Sequence, residues 1–167
     1  MKLNELNQLT REQAVDHLLK CCGSKKWAEQ MADTRPFISL DEVYLNAESI
    51  WWDLKPKDWL EAFSQHPKIG DPETLRAKFA DTEKWAGGEQ KGVQQASEEV
   101  LMGLAAGNDQ YEQKFGYIFI VCATGKSADE MLETLEDRIQ NDPDDEIKIA
   151  AKEQSKITKI RLEKLLT

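Results

Sequence analysis

The sequence predicts an all-α fold, a single compact domain of about eight or nine helices over residues 1–167. Three observations predict it. Side chains that cap helix starts recur ahead of apolar stretches, several with Glu or Gln three residues on. Glycine and proline stand where those stretches must stop or restart. No internal repeat, low-complexity tract or long linker breaks the pattern, and the length suits one domain with a core of its own.

Taken in order, Thr10 and Gln13 form a capping box for a helix over 10–22, and Gly23 supplies its stop. Ser24 caps a short helix through "KKWAEQMA", and "TRPFIS" is a loop. Ser39 and Glu42 box the start of "LDEVYLNAESIWWDL". Pro56 fits the first turn of "PKDWLEAFSQ", which Pro67 must end because the residue before a proline avoids the helical region. Asp71 and Pro72 read as the cap and first turn of "ETLRAKFA". Past Gly87 and Gly88 a helix is expected over 89–106, stopped by Gly107. Asn108 then caps a segment ending in "YIFIVCAT". That run has strand propensity but reads as a buried helix, because it continues "DQYEQKFG" and Gly125 follows. Ser127 and Glu130 start "ADEMLETLEDRIQN", and Pro143 opens the last helix, to Leu166. The five tryptophans, at 27, 51, 52, 59 and 85, read as core and groove material.

The balance of 22 Lys+Arg against 31 Asp+Glu leaves a formal charge of -9, which repels phosphate backbones and anionic lipid, so neither nucleic acid nor a membrane is an expected partner. "MKLNELNQLTREQ" lacks the apolar core of a signal peptide and no run of eighteen apolar residues occurs, so a cytoplasmic protein is expected. The cysteines, 21, 22 and 122, are odd in number and two are neighbours; reduced thiols are the simplest reading.

"ATGKS" is half of a phosphate-loop signature, but Ile120 stands where the pattern needs a glycine, so a helix stop followed by a helix start explains it better. No metal is expected, since Cys21, Cys22, Cys122, His17 and His66 match no ligand spacing. His17 reads as structural. His66 differs: in "EAFSQHPKIGD" it stands where a helix ends against proline, near a negative dipole end that favours imidazolium and suits a general acid, although a histidine at a helix end is more often structural. In "KWAGGEQKG", Glu89 and Gln90 fall in the first turn of a helix after two glycines, where free N–H groups can meet an anion; on spacing alone a plain helix start accounts for them better. Arg161 rises from a face shared with Gln154, Ile157, Thr158 and Leu165, and needs an anion, either a ligand carboxylate or an internal Asp or Glu.

Together, "CCGSKKW" (21–27), "WLEAFSQHPKIGD" (59–71), "EQ" (89–90), "YEQKFGYIFIVCATGKS" (111–127) and "KITKIRL" (156–162) resemble the 2-oxo-4-hydroxy-4-carboxy-5-ureidoimidazoline (OHCU) decarboxylase family. That resemblance implies an all-helical homodimer that converts OHCU to (S)-allantoin and CO2 without metal or organic cofactor. It implies His66 and Glu89 as catalytic groups. Pro67, Gln90, Phe119, Ile120, Val121, Cys122, Ala123 and Arg161 match positions lining the substrate pocket, partly through main-chain groups. Ala86 stands where the family often has serine, so a hydroxyl contact is missing or replaced there. Association with a hydroxyisourate hydrolase would suit transfer of an unstable intermediate. The competing readings are a hydrolase of a related ureido or hydantoin ring, separated by CO2 release, and a non-enzymatic helical interaction module, separated by an exposed apolar patch in place of a pocket at His66.

Overall fold

The structure, a computed structural model, describes residues 1–68, 73, 75, 77 and 97–167. Among the described residues there are eight helices and no strand: α1 (Leu3–Gln8), α2 (Arg11–Leu19), α3 (Lys25–Thr34), α4 (Leu40–Asp53), α5 (Pro56–Ser64), α6 (Glu98–Phe115), α7 (Ala128–Ile139) and α8 (Pro143–Leu165). The all-α expectation holds. Residues 73, 75 and 77 are also helical; the cap expected at Asp71 and Pro72 lies outside the described residues. None of the helices is long and apolar enough to cross a membrane, among the described residues. The chain divides into two compact units, residues 1–66 with 147–167, and residues 67–146.

In the first unit α3 packs against α2, α4 and α5. The expected caps set these helices in place. Thr10 accepts from the Gln13 N–H, Ser24 from Trp27 and Ser39 from Glu42, each satisfying a donor that the first turn leaves unpaired. Pro56 occupies the first turn of α5. Tryptophans then join the helices. The buried indole of Trp27 donates to Ala47 O at 3.0 Å, Trp59 to Trp51 O at 3.0 Å, and Trp51 to Ala151 O on α8 at 2.9 Å. Each ring thus buries a large apolar surface without stranding its polar N–H. Trp52 departs from the core reading at 41 % exposure, edge-on to Trp59, and Trp85 lies outside the described residues.

Two local expectations change in this unit. Helix α2 ends at Leu19 instead of Cys22, and Gly23 serves close approach: a Cβ there would lie 2.4 Å from Gln65 Cγ. Helix α1 has no counterpart in the sequence reading, because its N-cap is Lys2, which makes no side-chain capping bond. Distant residues hold it. Arg35 donates to Leu6 O at 2.7 Å and Leu9 O at 2.8 Å, while Asn7 exchanges two hydrogen bonds with the Phe37 backbone.

In the second unit α6 lies along α7. Its core holds Leu75, Leu101, Leu104, Tyr111, Phe119, Met131 and Leu135. Of the helix expected over 89–106, residues 89–96 lie outside the described residues; α6 begins at Glu98, capped by Ser97, and runs through Gly107 and Asn108 to Phe115. Gly107 is a packing residue: a Cβ on it would stand 2.6 Å from Leu135 Cδ2 of α7. The true stop is Gly116, whose φ of +84° is a left-handed conformation that glycine adopts cheaply. The buried helix expected through "YIFIVCAT" is therefore absent, and residues 117–127 form neither helix nor strand.

Candidate active site

The site grows from two helices of the first unit. Helix α5 buries Trp59, Ala62 and Phe63, and its last turn closes ahead of Pro67, where the Gln65 N–H bonds to Ala62 O and Phe63 O. The His66 N–H still bonds to Phe63 O at 3.2 Å, so the half-buried ring leaves a backbone fixed by the helix on one side and proline on the other. Pro67 is exposed. On α8, Gln154, Thr158 and Arg161 follow one another at spacings of four and three, which puts them on one stripe.

That stripe meets the imidazole. His66 Nε2 lies 2.5 Å from Gln154 Oε1, Gln154 Nε2 donates to Thr158 Oγ1 at 3.1 Å, and a terminal nitrogen of Arg161 lies 3.5 Å from His66 Nδ1. A guanidinium has only donors, so it faces Nδ1 comfortably only when that atom offers a lone pair. The helix end places a negative dipole end beside the ring, and Arg161 places a positive charge there. No ion pair joins Arg161 to a carboxylate among the described residues, which leaves the internal Asp or Glu alternative unfilled there.

Behind the stripe lie Cys21 and Cys22, both buried. Burial pushes the Cys21 thiol up to about 11 and that of Cys22 to about 12; bonds from the Ser24 backbone and the Thr158 hydroxyl, with the charge of Arg161, pull Cys22 slightly the other way. Both are neutral thiols at physiological pH. No disulfide joins any of the three cysteines.

The segment expected to line the pocket from 119 to 123 belongs to the second unit. Phe119 and Ile120 are buried, and Val121, Cys122 and Ala123 are half-buried. A buried cluster that the sequence reading missed fixes its path. Arg138 donates to Ile120 O at 2.7 Å and twice to Glu146 Oε2, at 2.9 and 2.6 Å, with its guanidinium 4.6 Å from the Phe119 ring centre. The Tyr111 hydroxyl also donates to Glu146, and Asn141 completes the carboxylate at 3.0 Å. The signal was present in the sequence: Arg138 continues the apolar stripe of Ala128, Met131 and Leu135, where a cation has to find a buried partner.

Of the expected site residues, then, His66 and Arg161 are brought together. Glu89, Gln90 and Ala86 lie outside the described residues. "ATGKS" is a turn, with Gly125 at φ +76°, followed by Ser127 capping α7. His17 stays half-buried on α2. Among the described residues no cluster of His, Cys, Asp or Glu is arranged to hold a metal.

An all-helical protein with an amide-anchored imidazole beside a guanidinium is equipped for proton transfer on a small anion. The comparisons with known proteins give the family. A family model described as OHCU decarboxylase matches residues 7–163, and the chain belongs to the OHCU decarboxylase family. It is 38% identical over 160 residues to the "Uric acid degradation bifunctional protein TTL" of Arabidopsis thaliana, covering 95% of this chain and 49% of that protein. It is 26% identical to the 2-oxo-4-hydroxy-4-carboxy-5-ureidoimidazoline decarboxylase of Halalkalicoccus jeotgali, over 99% of this chain and 92% of that one. The chain spans about half or less of the length of its bifunctional relatives. A crystal structure of OHCU decarboxylase in the presence of (S)-allantoin matches with a TM-score of 0.73 at 39% identity, covering 90% of this chain and 96% of the other. A crystal structure of (S)-allantoin synthase shares the fold, with a TM-score of 0.72 at 16% identity, covering 99% of this chain and 54% of the other.

Proposed function

We propose that this protein, as a single OHCU decarboxylase-like domain over residues 1–167, decarboxylates OHCU to (S)-allantoin and CO2 with no metal or organic cofactor. The observation that carries the reading is the meeting of His66 and Arg161 across 95 residues of sequence. In OHCU the carbon bearing the hydroxyl and carboxylate adjoins an imine carbon. When the carbon–carboxylate bond breaks, its electron pair moves toward that C=N bond, so the substrate supplies its own electron sink. The protein has to orient the carboxylate, accept the hydroxyl proton and deliver a proton to one face of the neighbouring carbon.

His66, as the neutral imidazole, accepts the hydroxyl proton at Nδ1 and returns it to carbon, while the imine nitrogen, which has received the electron pair, takes a proton from water. Arg161 turns to grip the substrate's anionic edge, a small rearrangement because 3.5 Å is already the outer limit of a hydrogen bond. Glu89 shares the proton handling. Gln90 and the main chain of Phe119, Ile120, Val121, Cys122 and Ala123 hold ring and ureido oxygens, Pro67 shapes the wall, and Ala86 leaves a serine contact unmade. A cytoplasmic homodimer is part of the proposal. So is association with a hydroxyisourate hydrolase, an idea supported by the relatives named as bifunctional proteins of uric acid degradation.

The test generates OHCU in place from urate with the upstream enzymes and follows optical activity together with CO2. Wild type is expected to give (S)-allantoin, and His66→Asn a racemic product at the spontaneous rate. Equal stereospecific turnover by both would remove His66 from the chemistry, and racemic product from both would reject the decarboxylase reading.

A further inference from the structure

We infer that Gln154 is a positioning residue that holds His66 in the Nε2–H tautomer, so that Nδ1 is the ring atom presented for proton transfer; the inference deepens the decarboxylase reading and rests on it for its kinetic consequence. Gln154 is wholly buried, and a buried primary amide has to satisfy both its ends. Both are satisfied here within one connected row. The carbonyl end faces His66 Nε2 at 2.5 Å, the NH2 end donates to Thr158 Oγ1 at 3.1 Å, and Thr158 in turn bonds to the Cys22 thiol.

The direction of the row is fixed from its other end. Were the amide reversed, its NH2 would need a lone pair on Nε2, the proton would move to Nδ1, and an N–H would then point at the guanidinium of Arg161. Only the stated orientation satisfies amide, imidazole and guanidinium together. Among the described residues, the charged group recorded against the ring is Arg161 on α8, and the neutral thiols Cys21 and Cys22 lie near Arg161 and Thr158. An amide orients the ring as a carboxylate would, but adds no negative charge to draw a second proton onto it.

The chain has only two histidines, so nitrogen NMR of the intact protein labelled at histidine reads the tautomer directly, with His17→Gln assigning the signals. The expected result near pH 7.5 is a pyrrole-type Nε2 and a pyridine-type Nδ1 at His66, becoming a tautomer mixture in Gln154→Leu and, in milder form, in Thr158→Val. A His66 ring that is Nδ1–H or doubly protonated in the wild type overturns the assignment. In kinetics, Gln154→Glu is expected to raise the acid limb of kcat/KM against pH by about one pH unit or more, since a carboxylate at hydrogen-bond distance stabilises imidazolium. A variant that merely loosened the fold would lower activity without moving that limb. An unmoved limb in a normally melting Gln154→Glu protein overturns the assignment as well. Absence of turnover by wild type would reject the decarboxylase reading, while the tautomer, measured without substrate, would still decide the role of Gln154.

Discussion

Cys22 is sealed from solvent with its thiol pushed up to about 12, chiefly by burial. In an unfolded chain the same thiol loses its proton at about 8.5. Between those values the native state holds a proton that the unfolded state has released, so stability falls as pH rises through the window and is fully present below it. Replacing Cys22 by Ala should flatten the alkaline fall in Tm between about pH 8.5 and 11 relative to wild type. Parallel melting curves would show that the thiol does not govern that fall. Arg161 lends itself to a complementary measurement. A lysine keeps the charge but loses the planar fork, so Arg161→Lys is expected to raise KM at least about tenfold, the loss of one charge-assisted hydrogen bond worth about 1.5–3 kcal/mol. An unchanged KM would mean that the guanidinium does not grip the substrate.

At the level of elements, the contact of α6 with α7 runs over two glycines of different tightness. A Cβ at Gly107 would press on Leu135 at 2.6 Å, whereas one at Gly103 would meet Leu132 at 3.2 Å. Alanine favours a helix interior over glycine by about 1 kcal/mol. Overpacking costs about 1–3 kcal/mol, so Gly107→Ala should be net destabilising in urea titrations and Gly103→Ala close to neutral. Arg138→Met should cost more, about 3–5 kcal/mol, because it abandons the buried carboxylate of Glu146 and the carbonyl of Ile120. Adding Glu146→Leu should recover part of that loss, and a double variant as unstable as the sum of its singles would argue against the pairing.

The same elements explain what could be read from the chain. Thr10 with Gln13, and Ser24, Ser39, Ser127, Pro56 and Pro143, act within a turn of their own position, and each starts the helix expected of it. Gly107 and "YIFIVCAT" misled because their conformations are decided by Leu135 and Arg138, partners from another helix. Helix α1 went unread for the same reason, held as it is by Arg35 and Phe37. Within the site, His66 stood out at its helix end and Arg161 on its partly apolar face, and the family resemblance supplied their expected roles. Gln154 could be read only as a member of Arg161's stripe, because its bond to the imidazole spans 88 residues.

On the scale of the whole molecule, the unit that holds the imidazole is built from the two ends of the chain. Residues 1–66 and 147–167 make it up, with the Trp51 indole on Ala151 O and the Met1 ammonium on Leu165 O at 2.9 Å. If these segments form one cooperative body, hydrogen exchange should give the amides of Ala150 and Ala151 the same opening free energy as those of Leu18 and Val43. Exchange of α8 at a distinctly lower free energy would show that it detaches on its own.

The hydrogen bond from Trp51 to Ala151 also sets a timetable for biosynthesis. Its partners lie 100 residues apart, and ribosomes add about 5–20 residues per second, so a nascent chain carries this indole for about 5–20 s before its acceptor has been made. Residues 67–146 are continuous and are complete before that moment. The stretch most in need of a chaperone is therefore 1–66, whose core closes only once α8 has been made.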